Sequence, residues 1–207
     1  MKDQIIIKKL TEENTADYEL LTKHGDDGKL CYCSFWHQKW TSMDEYHRVQ
    51  KENPERLKNC VLDRVKSNFH VGVIAYLNNE PCAWVSVGPL IDFYWAWKRV
   101  GQLGDAAKTT AGILCFTVAP KFRGQNMQER VLVALKEYGV QNGWTGIEAY
   151  PFADAALEKH GPSLLWAGLR KNYERAGFEE AGEHWLSQPE TKRHRYTLSL
   201  SGSPKPS

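Results

Sequence analysis

Apolar positions along this chain recur in two rhythms, every second residue in short runs and every third or fourth in longer ones. Ile5 to Leu10 reads as a first strand, and Thr11 to His24 as a helix carrying Tyr18, Leu20 and Leu21, stopped by Gly25 and the Asp-Asp-Gly run. Ser42 to Gln50 predicts a short helix. Asn53 before Pro54 starts another, with Leu57, Val61 and Val65 on one face. Phe69 to Leu77 and Cys82 to Val87 are β-rich runs flanking Asn78 and Asn79, a hairpin pattern that Gly88 and Pro89 should break. Leu90 to Gln102 is aromatic and ambiguous, with a helical leaning, and Gly101 to Thr110 has loop composition.

The pattern sharpens in the second half. Ala111 to Val118 predicts a strand. Met127 to Gln141 predicts a helix with Met127, Val131, Leu135 and Tyr138 on one face, stopped by Asn142 and Gly143. Gly146 to Tyr150 is a further strand. Leu165 to Ala176 places Leu165, Leu169, Tyr173 and Ala176 on one helical face, with Gly177 as the cap. Phe178 to Trp185 and Arg193 to Leu200 complete the sheet as an antiparallel pair. Strands and helices mix without strict alternation, so the class is α/β of the α+β kind, with a mixed sheet flanked by helices.

Composition narrows the partners. The 207 residues, 42% hydrophobic and 25% charged, suit one globular domain over residues 1–200, with a polar, Pro/Ser-rich and disordered tail at 201–207. A net charge of +2 argues against a nucleic-acid surface, and no run approaches the length of a membrane span. Without an h-region or cleavage site at the first residues, the expected compartment is the cytoplasm. The five Cys are expected as core-packed thiols. Cys31, Cys33 and His37 lack the second ligand pair of a zinc site, so no metal is expected.

The chemistry concentrates between Ile113 and Pro151. An apolar strand hands over to an amphipathic helix through the basic loop Arg123 to Gln128. The first-turn N–H groups of a helix lack intrahelical partners and, with the helix dipole, favour an anion. The Arg123 guanidinium can grip a phosphate in bidentate fashion. Val118, Pro120 and Arg123 follow the pattern V-x-P-x-x-R; Gly124 and Gln125 lead into Asn126, where Gly is usual, and Met127 into Gln128, where Gly or Ala is usual. Asn tolerates positive φ, whereas the long Gln128 side chain would crowd a pyrophosphate. Tyr173, Gly177 and Phe178 complete a second pattern, Y-x-x-x-G-F.

In these two segments the chain resembles the GNAT superfamily of N-acetyltransferases. Cys31 to Trp40, the run ending at Trp84 and the segment Lys192 to Leu198 resemble a bacterial-type branch whose substrates are largely unassigned. The resemblance implies a mostly antiparallel central sheet with a splay between its two central parallel strands. It implies acetyl-CoA as co-substrate, with backbone groups of Phe116 and Val118 on the pantetheine arm and the loop Arg123, Gly124, Gln125, Asn126, Met127 and Gln128 on the pyrophosphate. Tyr173 is the expected general acid, a phenol with pKa near ~10 that can protonate a thiolate. Glu148, a lone carboxylate in an apolar strand, is the candidate base, with a partner role for a nearby Arg as the alternative.

Eight Trp are many for this length. Trp36, His37 and Trp84 are the candidate acceptor wall, an aromatic surface suited to an apolar or cationic amine; core filling is the alternative. The leading function is acetyl transfer to the primary amine of a small molecule by direct attack in a ternary complex. An acyl-CoA-binding sensor or subunit, and a protein or peptide N-acetyltransferase, are the alternatives. A homodimer stays open.

Overall fold

The computed structural model describes residues 4–23 and 30–200. The Gly25 stop and the 201–207 tail lie outside them. Among the described residues one sheet has seven strands in the order β1-β2-β3-β4-β5-β7-β6. They are β1 (Ile5–Lys9), β2 (Val73–Leu77), β3 (Glu80–Pro89), β4 (Thr110–Val118), β5 (Gly146–Ala149), β6 (Glu179–Glu183) and β7 (His194–Ser199). The β4–β5 pairing is parallel and the other pairings are antiparallel. The mixed, mostly antiparallel sheet is the one expected.

Strand β2 is buried along its whole length, because both faces of the sheet are covered. On one face Val73, Ala75 and Leu77 join Val131, Leu132 and Leu135 of helix α5 (Met127–Gln141). On the other, Ile74 and Tyr76 meet Tyr18 and Leu21 of α1 (Thr15–Thr22) and Leu57 and Val61 of α3 (Pro54–Lys66). Helix α2 (Met43–Glu52) precedes α3, and the Ser42 side chain caps it by accepting from the Glu45 N–H.

The β2–β3 turn is made by Asn78 and Asn79 at φ 52° and 64°, the positive-φ pair that a tight hairpin needs. The expected break at Gly88 and Pro89 does not occur, since both lie inside β3. A Cβ at Gly88 would stand 2.4 Å from the His70 carbonyl oxygen, so glycine lets the strand pass against that segment. Pro89 occupies the last paired position, opposite Ala111, where a missing N–H costs least. The aromatic stretch after it forms two 3-10 turns and α4 (Trp97–Leu103).

Between β5 and β6 the chain forms α6 (Asp154–His160), a 3-10 stretch (Gly161–Ala167) and α7 (Arg170–Arg175). The helix expected from Leu165 therefore starts later. Gly168, at φ 76°, stands inside the predicted span and separates the 3-10 stretch from α7. Strand β6 is exposed at all its positions, carries Glu179, Glu180 and Glu183, and forms a sheet edge with a register shift before Gly182.

Candidate functional site

The site begins where two strands part. Strands β4 and β5 pair in register from Thr110↔Gly146 to Ile113↔Ala149, and there β5 ends while β4 continues to Val118. The β3–β4 register shifts at the same level, with Ser86 opposite Cys115 and Val87 opposite Ile113, leaving Leu114 as the extra residue. Such a bulge bends its strand. The backbone from Leu114 to Val118 is thus left without a β5 neighbour.

In front of this gap the loop after β4 turns into α5. Gly124 (φ 76°) and Asn126 (φ 53°) are both left-handed, so Asn serves in the turn position expected of it. Asn126 stands at the N-cap of α5 without a side-chain cap bond, at the positive end of a 15-residue helix. The exposed Arg123 holds its Nε on the Val118 carbonyl at 3.0 Å. Gln125 is turned back, its Nε2 donating to the Lys121 carbonyl at 3.0 Å, and it does not line the cavity in front of the loop.

Gln128 lines the cavity with its side chain turned toward α7. Its Oε1 accepts from the Leu169 N–H at 3.1 Å and from Asn172 Nδ2 at 2.7 Å. The side chain is spent on tying the start of α5 to the start of α7.

A cavity of about 1530 Å³ opens over the parted strands. Its walls include Cys115, Phe116, Thr117 and Val118 of β4, the α5 start at Asn126, Met127 and Gln128, Tyr46 and His47 of α2, and Phe35 and Trp36 before it. Trp166, Gly168, Leu169 and Asn172 close another side. The volume exceeds the roughly 300–1,000 Å³ of ordinary ligand pockets, enough for a long cofactor and an acceptor together.

The predicted chemical groups sit differently around this space. Tyr173 is fully buried and does not line the cavity; its hydroxyl donates to the Ala167 carbonyl at 2.9 Å. It stands directly behind the cavity wall at Gly168, where an added Cβ would lie 2.7 Å from the Tyr173 oxygen. Burial pushes this phenol well above its ordinary range, which keeps it protonated and makes it a weaker acid than an exposed tyrosine.

Glu148 is also turned away from the cavity. Arg99 grips its carboxylate through Nε at 2.9 and 3.1 Å and through Nη2 at 2.5 Å. The Tyr150 hydroxyl donates to it at 2.8 Å, and Arg195 Nη1 lies 3.5 Å away. The alternative of an Arg partner describes what the structure contains. Both carboxylate oxygens are thus taken up by donors of the protein itself.

Of the expected acceptor wall, Trp36 lines the cavity. Trp84 does not: it is fully buried in the core beneath α1, edge-on to Tyr18 at 4.7 Å, above Gly72, whose missing side chain gives it room. His37 packs on Phe93 at 5.1 Å behind the wall, with both ring nitrogens buried and without hydrogen-bond partners among the described residues. Burial pulls its pKa down to about 3, so it is a neutral core ring. Both expectations are corrected, since a pocket wall and a core attract the same side chains.

Arg193, Phe152 and Trp166 line the cavity and were not singled out by sequence reasoning. Arg193 precedes β7, and its Nε and Nη2 donate to the Tyr150 carbonyl at 3.0 and 2.9 Å. That carbonyl directly follows the end of β5, so the arginine caps the strand that stops short. The pattern held one signal, the run of basic residues from Lys192 to Arg195 at the start of the strand. Cys33 and Cys115, also in the lining, are free thiols with sulfurs 2.7 Å apart. Among the described residues no group of three or more His, Cys, Asp or Glu is placed to hold a metal, and no helix is long and apolar enough to cross a membrane.

No protein-family model and no curated protein matches the chain. Solved structures do. The aminoglycoside acetyltransferase AAC(6')-Ib, in complex with ribostamycin and coenzyme A, is similar over 95% of this chain and 94% of its own, at 18% identity and TM-score 0.56. A candidate acetyltransferase of the GNAT family from Desulfovibrio desulfuricans is similar over 95% and 99%, at 14% identity and TM-score 0.54. The ribosomal-protein-S18-alanine N-acetyltransferase of Escherichia coli is similar over 98% and 97%, at 12% identity and TM-score 0.50.

Proposed function

We propose that this chain, which carries the GNAT acetyltransferase fold, is an acetyl-CoA-dependent N-acetyltransferase acting on the primary amine of a small molecule. The observation that carries the reading is the parting of β4 from β5 after Ile113 and Ala149, directly before the uncapped N-terminus of α5. The fit to acetyl-CoA is physical. The left-handed turns at Gly124 and Asn126 expose backbone donors to an anion, and Arg123 adds charge beside them. The run of β4 from Leu114 to Val118, paired with β3 but open on its β5 side, offers main-chain groups to an amide-bearing arm, and the cavity has the volume for one.

When bound, acetyl-CoA supplies the thioester acyl group. In the transfer the amine nitrogen forms a C–N bond to the acyl carbon, the C–S bond breaks, and the amine's surplus proton ends on the sulfur. This chain's contribution is to orient the amine beside β4, against the apolar wall of Phe35, Trp36 and Trp166. With Glu148 committed to Arg99, water in the open cavity is the acceptor of the amine proton. Tyr173, its hydroxyl turned from the Ala167 carbonyl past Gly168, would protonate the sulfur and regain a proton from the water that took the amine's, so that in all one proton passes from nitrogen to sulfur.

A second reading is an acyl-CoA-binding protein without turnover. It is favoured by the fact that the Tyr173 hydroxyl and the Glu148 carboxylate are both already bonded within the protein. One pair of measurements separates the two. Acetyl-CoA at about 100 times its Kd should stabilise the native state by roughly 2.7 kcal/mol, read as a rise in Tm. Amines should then release CoA, with Tyr173→Phe losing kcat at unchanged acetyl-CoA affinity. A Tm rise with no release from any amine supports the binding protein, and no Tm rise sinks both readings.

A further inference from the structure

Arg193 is a buried cation in unusual company. It is 5% exposed, and its guanidinium packs against three rings, 4.8 Å from Phe152, 4.9 Å from Trp166 and 5.7 Å from Trp36. Two of its five N–H donors are used on the Tyr150 carbonyl. Among the described residues Nη1 finds no hydrogen-bond partner and no carboxylate pairs with the charge. Burial pulls the group down to about 9, which still leaves it charged at neutral pH. An unpaired buried charge is costly, and this one lies in the cavity wall.

The rest of the lining points the same way. Among the described residues the cavity is lined by Lys51, Arg123, Lys171, Arg175 and Arg193, and by no Asp or Glu. A polycationic acceptor would meet repulsion here and find no counter-charge. Arg123 lies at the α5 loop, where phosphate is expected. Arg193 lies among Trp36, Phe152 and Trp166 instead. Its free donors on Nη1 and Nη2 form the fork that takes both oxygens of a carboxylate.

Resting on the acetyltransferase reading, we infer that the acceptor is a carboxylate-bearing amine, an amino acid or a close relative, whose carboxylate binds Arg193 within the aromatic box. The three rings favour an acceptor with an apolar or aromatic side chain beside that carboxylate.

The test compares phenylalanine with phenylalaninamide and with kanamycin in CoA release by the intact protein. Phenylalanine should exceed the amide in kcat/KM by about tenfold or more, as expected for a charge-assisted pair. Equal rates, or a preference for kanamycin, overturn the inference while leaving the transferase standing. Calorimetry with N-acetylphenylalanine and its amide reads the subsite without turnover. Preferential binding of the acid with no CoA release from any amine would keep the subsite and sink the transferase.

Arg193→Met should abolish the preference for the acid at unchanged acetyl-CoA affinity. Loss of acetyl-CoA binding in a folded variant would mean that Arg193 meets a cofactor phosphate, and the inference would fall. If the variant does not fold, the acid-against-amide comparison on the unmodified protein decides.

Discussion

Glu148 and Arg193 are both buried charges, and they differ in their partners. Glu148 neutralises Arg99 and approaches Arg195, while Arg193 has rings and one carbonyl. Glu148→Gln would leave Arg99 and Arg195 facing a neutral amide, and breaking one side of a buried pair typically costs about 3 kcal/mol or more. Urea unfolding should show that loss. A variant of normal stability with its defect confined to the basic limb of the rate profile would instead return Glu148 to the role of base. Sequence reasoning saw a lone carboxylate in an apolar strand but had no way to see Arg99, 49 residues earlier, arriving from α4. Trp84 and His37 misled for a related reason. Clustered aromatics mark low-dielectric surroundings, and only the packing tells whether a ring faces a core or a cavity.

At the scale of elements, the handover from β4 to α5 was legible in detail. The strand, the left-handed Asn126 and the helix start at Met127 stand where the pattern put them. The orientation of Gln128 was not legible, because its partners Leu169 and Asn172 lie more than forty residues on. That side chain acts as a strut between α5 and α7. Gln128→Ala should cost about 1–2 kcal/mol, since it strands the Leu169 N–H and the Asn172 amide. Differential scanning calorimetry should show a Tm lower by a few degrees, with acetyl-CoA affinity intact. A large gain in affinity would mean that the glutamine had been obstructing the loop after all. The late start of α7 has a similarly local cause. Apolar spacing ran unbroken from Leu165, but the positive φ at Gly168 interrupts the helix.

For the whole molecule, the mixed sheet was readable from alternation and turn residues, whereas the strand order depends on long-range pairing that no local pattern encodes. Burial of histidines on both faces gives the folded chain a defined acid sensitivity. Desolvation pulls His37 down to about 3 and His70 to about 4, and lowers His184 as well. Well above pH 6.5 these rings are neutral whether the chain is folded or not, so they contribute no pH dependence there. As pH falls below 6.5 the unfolded chain takes up protons that the folded one refuses, and stability drops by up to about 2 kcal/mol per ring by pH 5. Thermal melts from pH 7.5 to 5 should show a falling Tm, and His70→Gln should flatten the fall. A level profile would show that these rings reach water in the fold. At the far end of the sheet, β6 presents Glu179, Glu180 and Glu183 on an exposed strand with a displaced register. An open edge is a template on which other chains can add strands, and acidic side chains with a broken register blunt it. Strand β6 therefore works against aggregation, keeping neighbouring copies from extending the sheet at crowded concentrations.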